Sequence, residues 1–158
     1  MPKIASKFSF YKFALQTLLL TVLPHCVAEA RKKLPSKTEV FSVTFYRRSM
    51  IIDDMINILN LEIIQDCDRA KNFSNAYTSD LLSDVMGNAQ DECVIITIQA
   101  HKNTIAVATL KDSPAVIICN NRTIPQEMID AAKDECIGIF RSDKNQFEIS
   151  GILYSAMV

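Results

Sequence analysis

Three short stretches of this chain, residues 93–98, 115–119 and 136–140, are apolar almost without interruption. A strand with one face in water alternates apolar and polar residues, so an unbroken run of strand length predicts a strand covered on both faces. Segments with helical spacing lie between and after these runs. Residues 102–111 carry Ile105, Val107, Ala108 and Leu110. Residues 125–134 open with Pro125 at the first turn and carry Met128, Ile129 and Ala132, and residues 145–157 carry Phe147, Ile149, Leu153 and Met157. Strand followed by helix, three times over, implies right-handed crossovers and a largely parallel sheet between helical layers. The fold class this predicts is α/β, a small three-layer domain.

Upstream the pattern is shorter and more mixed. Residues 50–60 place Ile51, Ile52, Met55, Ile56, Ile58 and Leu59 along a helical stripe, with Asp53 and Asp54 near the N-terminus where the helix dipole favours them. Residues 61–64 read as a strand, 65–72 as a polar loop and 73–77 as a second extended piece. Thr78, Ser79 and Asp80 then offer N-cap chemistry for a helix over residues 81–88, with Gly87 near its end.

Charge divides the chain near Met50. Residues 1–49 hold nine Lys/Arg against two acidic residues, and residues 50–158 hold eight against sixteen, so +7 and −8 underlie the overall −1. A domain of charge −8 repels a phosphate backbone, which argues against nucleic acid as a partner. The first 49 residues resemble a secretory signal peptide: Lys3, Lys7 and Lys12 precede an apolar stretch at 13–23, and Ala28-Glu29-Ala30 supplies small residues for cleavage. That stretch is too short to span a bilayer comfortably, and His25-Cys26 after Pro24 is a poor lipoprotein acceptor. Two readings are open. The segment either exports or anchors the protein, or it is a leader translated ahead of a true start at Met50. The second is favoured, because a domain with unpaired thiols in its core suits the cytoplasm. The expected organisation is therefore a leader at 1–49, outside the fold, and a cytoplasmic α/β domain at 50–158 with no membrane contact of its own.

The five cysteines, Cys26, Cys67, Cys93, Cys119 and Cys136, are widely spaced with no CxxC pair, so neither a zinc site nor an iron-sulfur cluster has its usual framework. Cys93 and Cys119 sit in apolar runs, where a thiol acts as a small hydrophobe. No cofactor and no metal is expected. With three glycines in the whole chain, Gly87, Gly138 and Gly151, neither GxxxxGK[ST] nor GxGxxG can be written. This excludes a P-loop kinase and a classical dinucleotide-binding domain. No GxSxG elbow or HExxH helix is present either, and no catalytic set is assigned.

In open parallel sheets, ligands sit outside the carboxyl ends of the strands. The polar residues there are Thr97, Gln99 and His101 after the first run, Asn120, Asn121 and Arg122 after the second, and Arg141, Ser142 and Asp143 after the third. Arg122 between amide neighbours suits a phosphate or carboxylate, since guanidinium presents a planar fork of donors. Plainer readings stand beside these. His101 just before a helix is commonly a cap, Asn120-Asn121 is good turn chemistry, and Asp80 with Asp84 on one helical face commonly just complements the dipole.

Residues 77–89, YTSDLLSDVMGNA, followed by residues 95–103, IITIQAHKN, closely resemble the stand-alone DRTGG-domain family, in which a helix reading SDLLSDVM precedes a strand ending TIQTH. The resemblance extends from Met50 through residues 147–154 and covers none of the leader. It implies a fold like the N-terminal domain of HPr kinase/phosphorylase, without that enzyme's P-loop domain. Related domains occur beside cystathionine-β-synthase-type modules and within long phosphotransacetylases, and stand-alone versions accompany iron-only hydrogenase subunits. The positions matching the family's recurrent polar residues are Tyr77, Ser79, Asp80, Thr97, Gln99, His101 and Arg122. One departure falls at the name-giving point. Ser74, Asn75 and Ala76 stand where the family has Thr-Gly-Gly, and Ala76 cannot take a positive φ cheaply.

The expectation is thus a non-enzymatic regulatory or accessory domain. Its crevice, formed by Tyr77, Ser79, Asp80, Thr97, Gln99, His101, Asn120 and Arg122, would bind a small anionic metabolite or nucleotide. The alternatives are a protein-interaction subunit of a hydrogenase or other redox or signalling complex, and an iron-sulfur carrier. A homodimer is a further expectation, since small α/β domains often pair to cover sheet or helix surface.

Overall fold

A computed structural model describes residues 48–158. The expectations for residues 1–47, the signal-like segment among them, lie outside the described residues. Twelve elements follow in chain order: β1 (Met50–Ile51), α1 (Ile52–Leu59), β2 (Glu62–Gln65), β3 (Asn72–Phe73), β4 (Ala76–Thr78), α2 (Leu82–Asn88), β5 (Val94–Thr97), α3 (Lys102–Leu110), β6 (Ala115–Ile118), α4 (Gln126–Asp134), β7 (Gly138–Arg141) and α5 (Gln146–Met157).

The main sheet has the order β2-β7-β6-β5-β4. Strands β4 to β7 are parallel, and β2 closes the far side antiparallel to β7, with its register broken between Ile63 and Gln65. Residues of β5 and β6 are fully buried along their length, as their unbroken apolar character demands. Period-2 alternation divides them between two cores. Val94, Ile96, Ala115, Ile117 and Phe140 face α1 and α5, while Ile95, Val116, Ile118 and Ile139 face α2, α3 and α4. The result is the expected three-layer α/β arrangement with a largely parallel sheet.

The differences from expectation are local. The helical stripe at 50–60 begins two residues late, because Met50 and Ile51 pair antiparallel with Phe73 and Asn72 in a separate two-stranded sheet. The extended piece at 73–77 is accordingly two strands, β3 and β4, in different sheets. Cys136, read as the start of a buried strand, is an exposed turn residue with φ 56°, and the strand begins at Gly138. The Arg48 N–H donates to the Met157 carbonyl at 2.9 Å, tying the start of the described chain to the end of α5. Among the described residues, no helix is long and apolar enough to cross a membrane.

None of the three glycines takes a positive φ. The left-handed positions fall on Asn60, Glu92, Asp112, Asn120, Asn121 and Cys136. Four of the six are Asn or Asp, whose short side chains tolerate that region, so a chain poor in glycine makes its turns with them.

Candidate functional site

The carboxyl ends of β4 to β7 gather their following loops into one polar rim, held together by two sets of bonds. In the first set, Asp80 follows β4 and its Oδ1 accepts from Thr97 Oγ1 at 2.9 Å, from the Ile98 N–H at 2.9 Å and from Gln146 Nε2 at 3.0 Å. This one carboxylate oxygen links the ends of β4 and β5 to the first turn of α5. The expected role of Thr78, Ser79 and Asp80 as side-chain caps is corrected here, because the N-cap of α2 is Leu81, with no side-chain cap bond. Ser79 Oγ instead accepts from the Leu81 N–H at 3.2 Å.

The second set joins the β6 and β7 loops. Asn120 and Asn121 are both left-handed, with φ 60° and 48°, and their N–H groups donate to the carbonyls of Lys144 at 2.9 Å and Ser142 at 2.7 Å. Both amides are therefore occupied within the protein. The turn chemistry read in Asn120-Asn121 is what the structure uses, and it carries the exposed Arg122 at its far end. No hydrogen bond or ion pair of Arg122 to another described residue is formed. The other rim cations are engaged: Lys144 lies 3.8 Å from Asp143, Lys102 lies 3.4 Å from Glu127, and Arg141 makes two bonds to Glu62 at 2.8 and 2.9 Å.

The remaining candidates divide by what holds them. Thr97 is completely buried, and its Oγ1 also accepts from the Gln99 N–H at 3.1 Å, so it braces the loop from inside. Gln99 is exposed, and its carbonyl accepts from Thr104 Oγ1 at 2.8 Å. His101 is the N-cap of α3, with Nδ1 accepting from the Asn103 N–H at 3.1 Å. Tyr77 turns to the other core and donates to Asp84 Oδ2 at 2.9 Å, which raises its pKa, hydrogen bonding first and burial second. The Asp84 carboxyl in turn is held below its ordinary range by hydrogen bonds from Asn88, Ser79 and Tyr77. Asp84 is thus drawn into local bonds and does not form a pair with Asp80.

The Ser74-Asn75-Ala76 segment also behaves differently from expectation. None of the three has a positive φ. Ala76 opens β4 in ordinary extended backbone, so no glycine-like turn is needed here, and its N–H is met by Asn75 Oδ1 at 3.0 Å.

Sequence reading passed over a groove of about 340 Å³ along β4 and α5, lined by Ala76, Thr78, Ile96, Gly151, Tyr154 and Val158 among others. Thr78 Oγ1 and Ser150 Oγ, both of residues that line the groove, lie 2.7 Å apart. Phe147, 88% exposed, stands at its rim. The unused signal was the spacing of Phe147, Gly151, Tyr154 and Val158 along one side of α5. Gln146 was also missed, since only its contact with Asp80, 66 residues away, reveals its role.

Among the described residues, no group of three or more His, Cys, Asp or Glu could hold a metal. Burial pushes the Cys119 thiol up to about 11, assisted by the Asp80 charge, and Cys67 likewise to about 11. Burial thus disfavours the thiolate form at both positions.

No family model and no curated protein matches this chain. Solved structures do. The CBS and DRTGG domains of the regulatory region of Clostridium perfringens pyrophosphatase, complexed with the activator diadenosine tetraphosphate, match with a TM-score of 0.58. The fold is DRTGG-like. The match runs at 15% identity over 68% of this chain and 47% of that one, so the chain spans about half the length of its structural neighbour. At that identity the likeness establishes the arrangement of strands and helices and carries no residue role across.

Proposed function

We propose that the DRTGG-like domain is a non-catalytic regulatory or accessory module that takes a small anionic metabolite or nucleotide on the rim at the carboxyl ends of β4 to β7. The observation that carries this reading is Arg122. It is the rim cation without an acidic partner among the described residues, held out on the rigid Asn120-Asn121 turn between the β5 and β7 loops. A guanidinium so placed keeps its full donor fork for a phosphate or carboxylate. Gln99 and His101, both exposed on the neighbouring loop, are the polar groups that would orient the rest of the ligand. Asp80 and Thr97 serve from behind by fixing the loops, and Tyr77 supports β4 from the other core.

The regulatory part of the reading is supported by the fold shared with a pyrophosphatase regulatory region. Titration calorimetry with ATP, AMP and diadenosine tetraphosphate tests it. Binding of at least one of them, weakened at least about tenfold in Arg122→Ala, is expected for a lost charge-assisted contact. No heat with any of the three, or affinity unchanged by Arg122→Ala, overturns it. A second reading, a subunit that docks on another protein such as a redox or signalling enzyme, draws on the uncharged groove of β4 and α5. In that case a partner would co-purify with Arg122→Ala as well as with the unaltered protein.

A further inference from the structure

Two features of the β4 and α5 groove set it apart from the rest of the surface. Its eleven lining residues include no Asp, Glu, Lys or Arg, although residues 50–158 carry a net charge of −8. It is also bounded by a sheet edge, since β4 is the last strand among the described residues.

The hydrogen bonding shows which groups that edge presents. The Val94 N–H donates to the Asn75 carbonyl at 3.0 Å, and the Ser79 N–H donates to the Ile96 carbonyl at 3.2 Å. A parallel strand turns its backbone groups to alternate sides, so those of Ala76 and Thr78 point outward; the Ala76 N–H is met by Asn75 Oδ1 at 3.0 Å, which leaves the Ala76 carbonyl and the Thr78 N–H and carbonyl for the open edge. Both residues also line the groove.

We propose that this groove is a self-complementary interface through which two copies of the chain dimerise, β4 pairing antiparallel with β4 of the second copy. A two-fold axis through Tyr77 sets Ala76 opposite Thr78 of the other copy and Thr78 opposite its Ala76, so the Thr78 N–H of each copy meets the Ala76 carbonyl of the other. That axis stands perpendicular to the joined sheet, so the two α5 helices lie on the same face, antiparallel to each other. Helix α5 packs over both β4 and β5. With strands about 4.8 Å apart, its axis falls roughly 5 Å from the two-fold, and the two helices meet at about 10 Å, an ordinary packing distance.

The surfaces brought together fit in kind. Phe147 of one copy reaches toward the Tyr154 and Val158 end of its mate, and Gly151 near the middle leaves room for close approach. Charge permits a second copy here, because no Asp, Glu, Lys or Arg side chain lines the groove of a domain that otherwise carries −8. Eleven lining residues are about half of the 20–30 per side that a standard interface uses, so a weak, concentration-dependent dimer follows.

Sedimentation velocity on the full chain over a wide concentration range tests the proposal, with two variants at exposed positions, Thr78→Pro also giving up the exposed Thr78–Ser150 bond. A Cβ at Gly151 meets nothing within 4 Å, so Gly151→Leu starts from open space on an exposed position and extends along the groove that Gly151 lines. Thr78→Pro removes an N–H that faces outward, which an edge strand tolerates. Each is expected to weaken dimerisation by about tenfold or more with an unchanged circular dichroism spectrum. Gly87→Ala, on α2 and also with nothing within 4 Å, should dimerise as the unaltered protein does. A monomer at every concentration overturns the proposal, as does a dimer indifferent to both variants or a monomeric chain that takes up an extended apolar peptide in the groove.

Discussion

Removing the Asp80 carboxylate should cost stability before it costs anything else. Its Oδ1 is the shared acceptor for Thr97 Oγ1, the Ile98 N–H and Gln146 Nε2. In Asp80→Ala the three donors lose their partner at once, but not equally. Thr97 is completely buried and its hydroxyl hydrogen loses its acceptor, although the oxygen keeps the Gln99 N–H; the Ile98 amide is half-buried, and the half-buried Gln146 amide turns to water. A donor left unsatisfied costs about 1–3 kcal/mol, so one full and one partial penalty give about 2–4 kcal/mol. Each kcal/mol moves the Tm of a domain near this size by about 4–8 °C, which predicts a fall on the order of 10 °C or more in a thermal melt. Asp80→Asn keeps an oxygen at the same place and should lose about 1 kcal/mol or less, the part due to charge assistance. Pairing Asp80→Ala with Thr97→Val removes donor and acceptor together, so the double variant should lose less than the sum of the two. An Asp80→Ala protein melting within a few degrees of the unaltered one would refute the clamp. So would Asp80→Asn proving as damaging as Asp80→Ala, since that would make the charge the active element and not the oxygen.

Three further outcomes rest on single sites. A Cβ at Gly138 would lie 2.6 Å from Cys67 Sγ and 2.9 Å from the Phe140 ring, and because Phe140 is fully buried, Gly138→Ala should cost about 1–3 kcal/mol in a urea titration. Cys136 is exposed in the left-handed region, so Cys136→Gly should raise stability by about 0.5–1 kcal/mol in the same assay. Asp84 has its pKa lowered from 3.8 by its hydrogen bonds, so its contribution is fully present above that pH and is lost as pH falls through the folded-state value. Asp84→Asn should therefore lower the neutral plateau of a stability-against-pH curve slightly and converge with the unaltered protein in acid, so that the acid limb below about pH 4 is flatter.

How far the fold could be read in advance follows from where its energy is local. The buried strands β5 and β6 are apolar throughout, and α5 opens with a capping box in which Asn145 and Glu148 satisfy each other's backbone, so these elements show in short windows of sequence. Strands β1 and β3 have two residues each and exist only because Met50 and Phe73 meet, a pairing no window contains. The antiparallel course of β2 is of the same kind, set by its partner β7. Cys136 misled because composition marks it apolar, whereas its place in a turn is decided by where Gly138 must enter the sheet beside Ala115.

The site divides along the same line, and the division bears on what the rim is for. The polar residues that sequence placed after β5, β6 and β7 do follow those strands, because topology fixes that location once the parallel order is known. It could not rank them, because ranking depends on who is already bonded. Asp80, Thr97, His101 and both Asn amides spend their hydrogen bonds within the protein, and only contacts as distant as Asp80 with Gln146 reveal it. A rim whose polar groups are mostly committed inward is stiff and offers few free donors, and Arg122 is foremost among those left. On the proposed reading such a surface would hold one small anion in a fixed pose; proton transfer, by contrast, needs a base within reach of its substrate and free of a structural bond. His101, the one imidazole on the rim, has its Nδ1 already occupied as a helix cap.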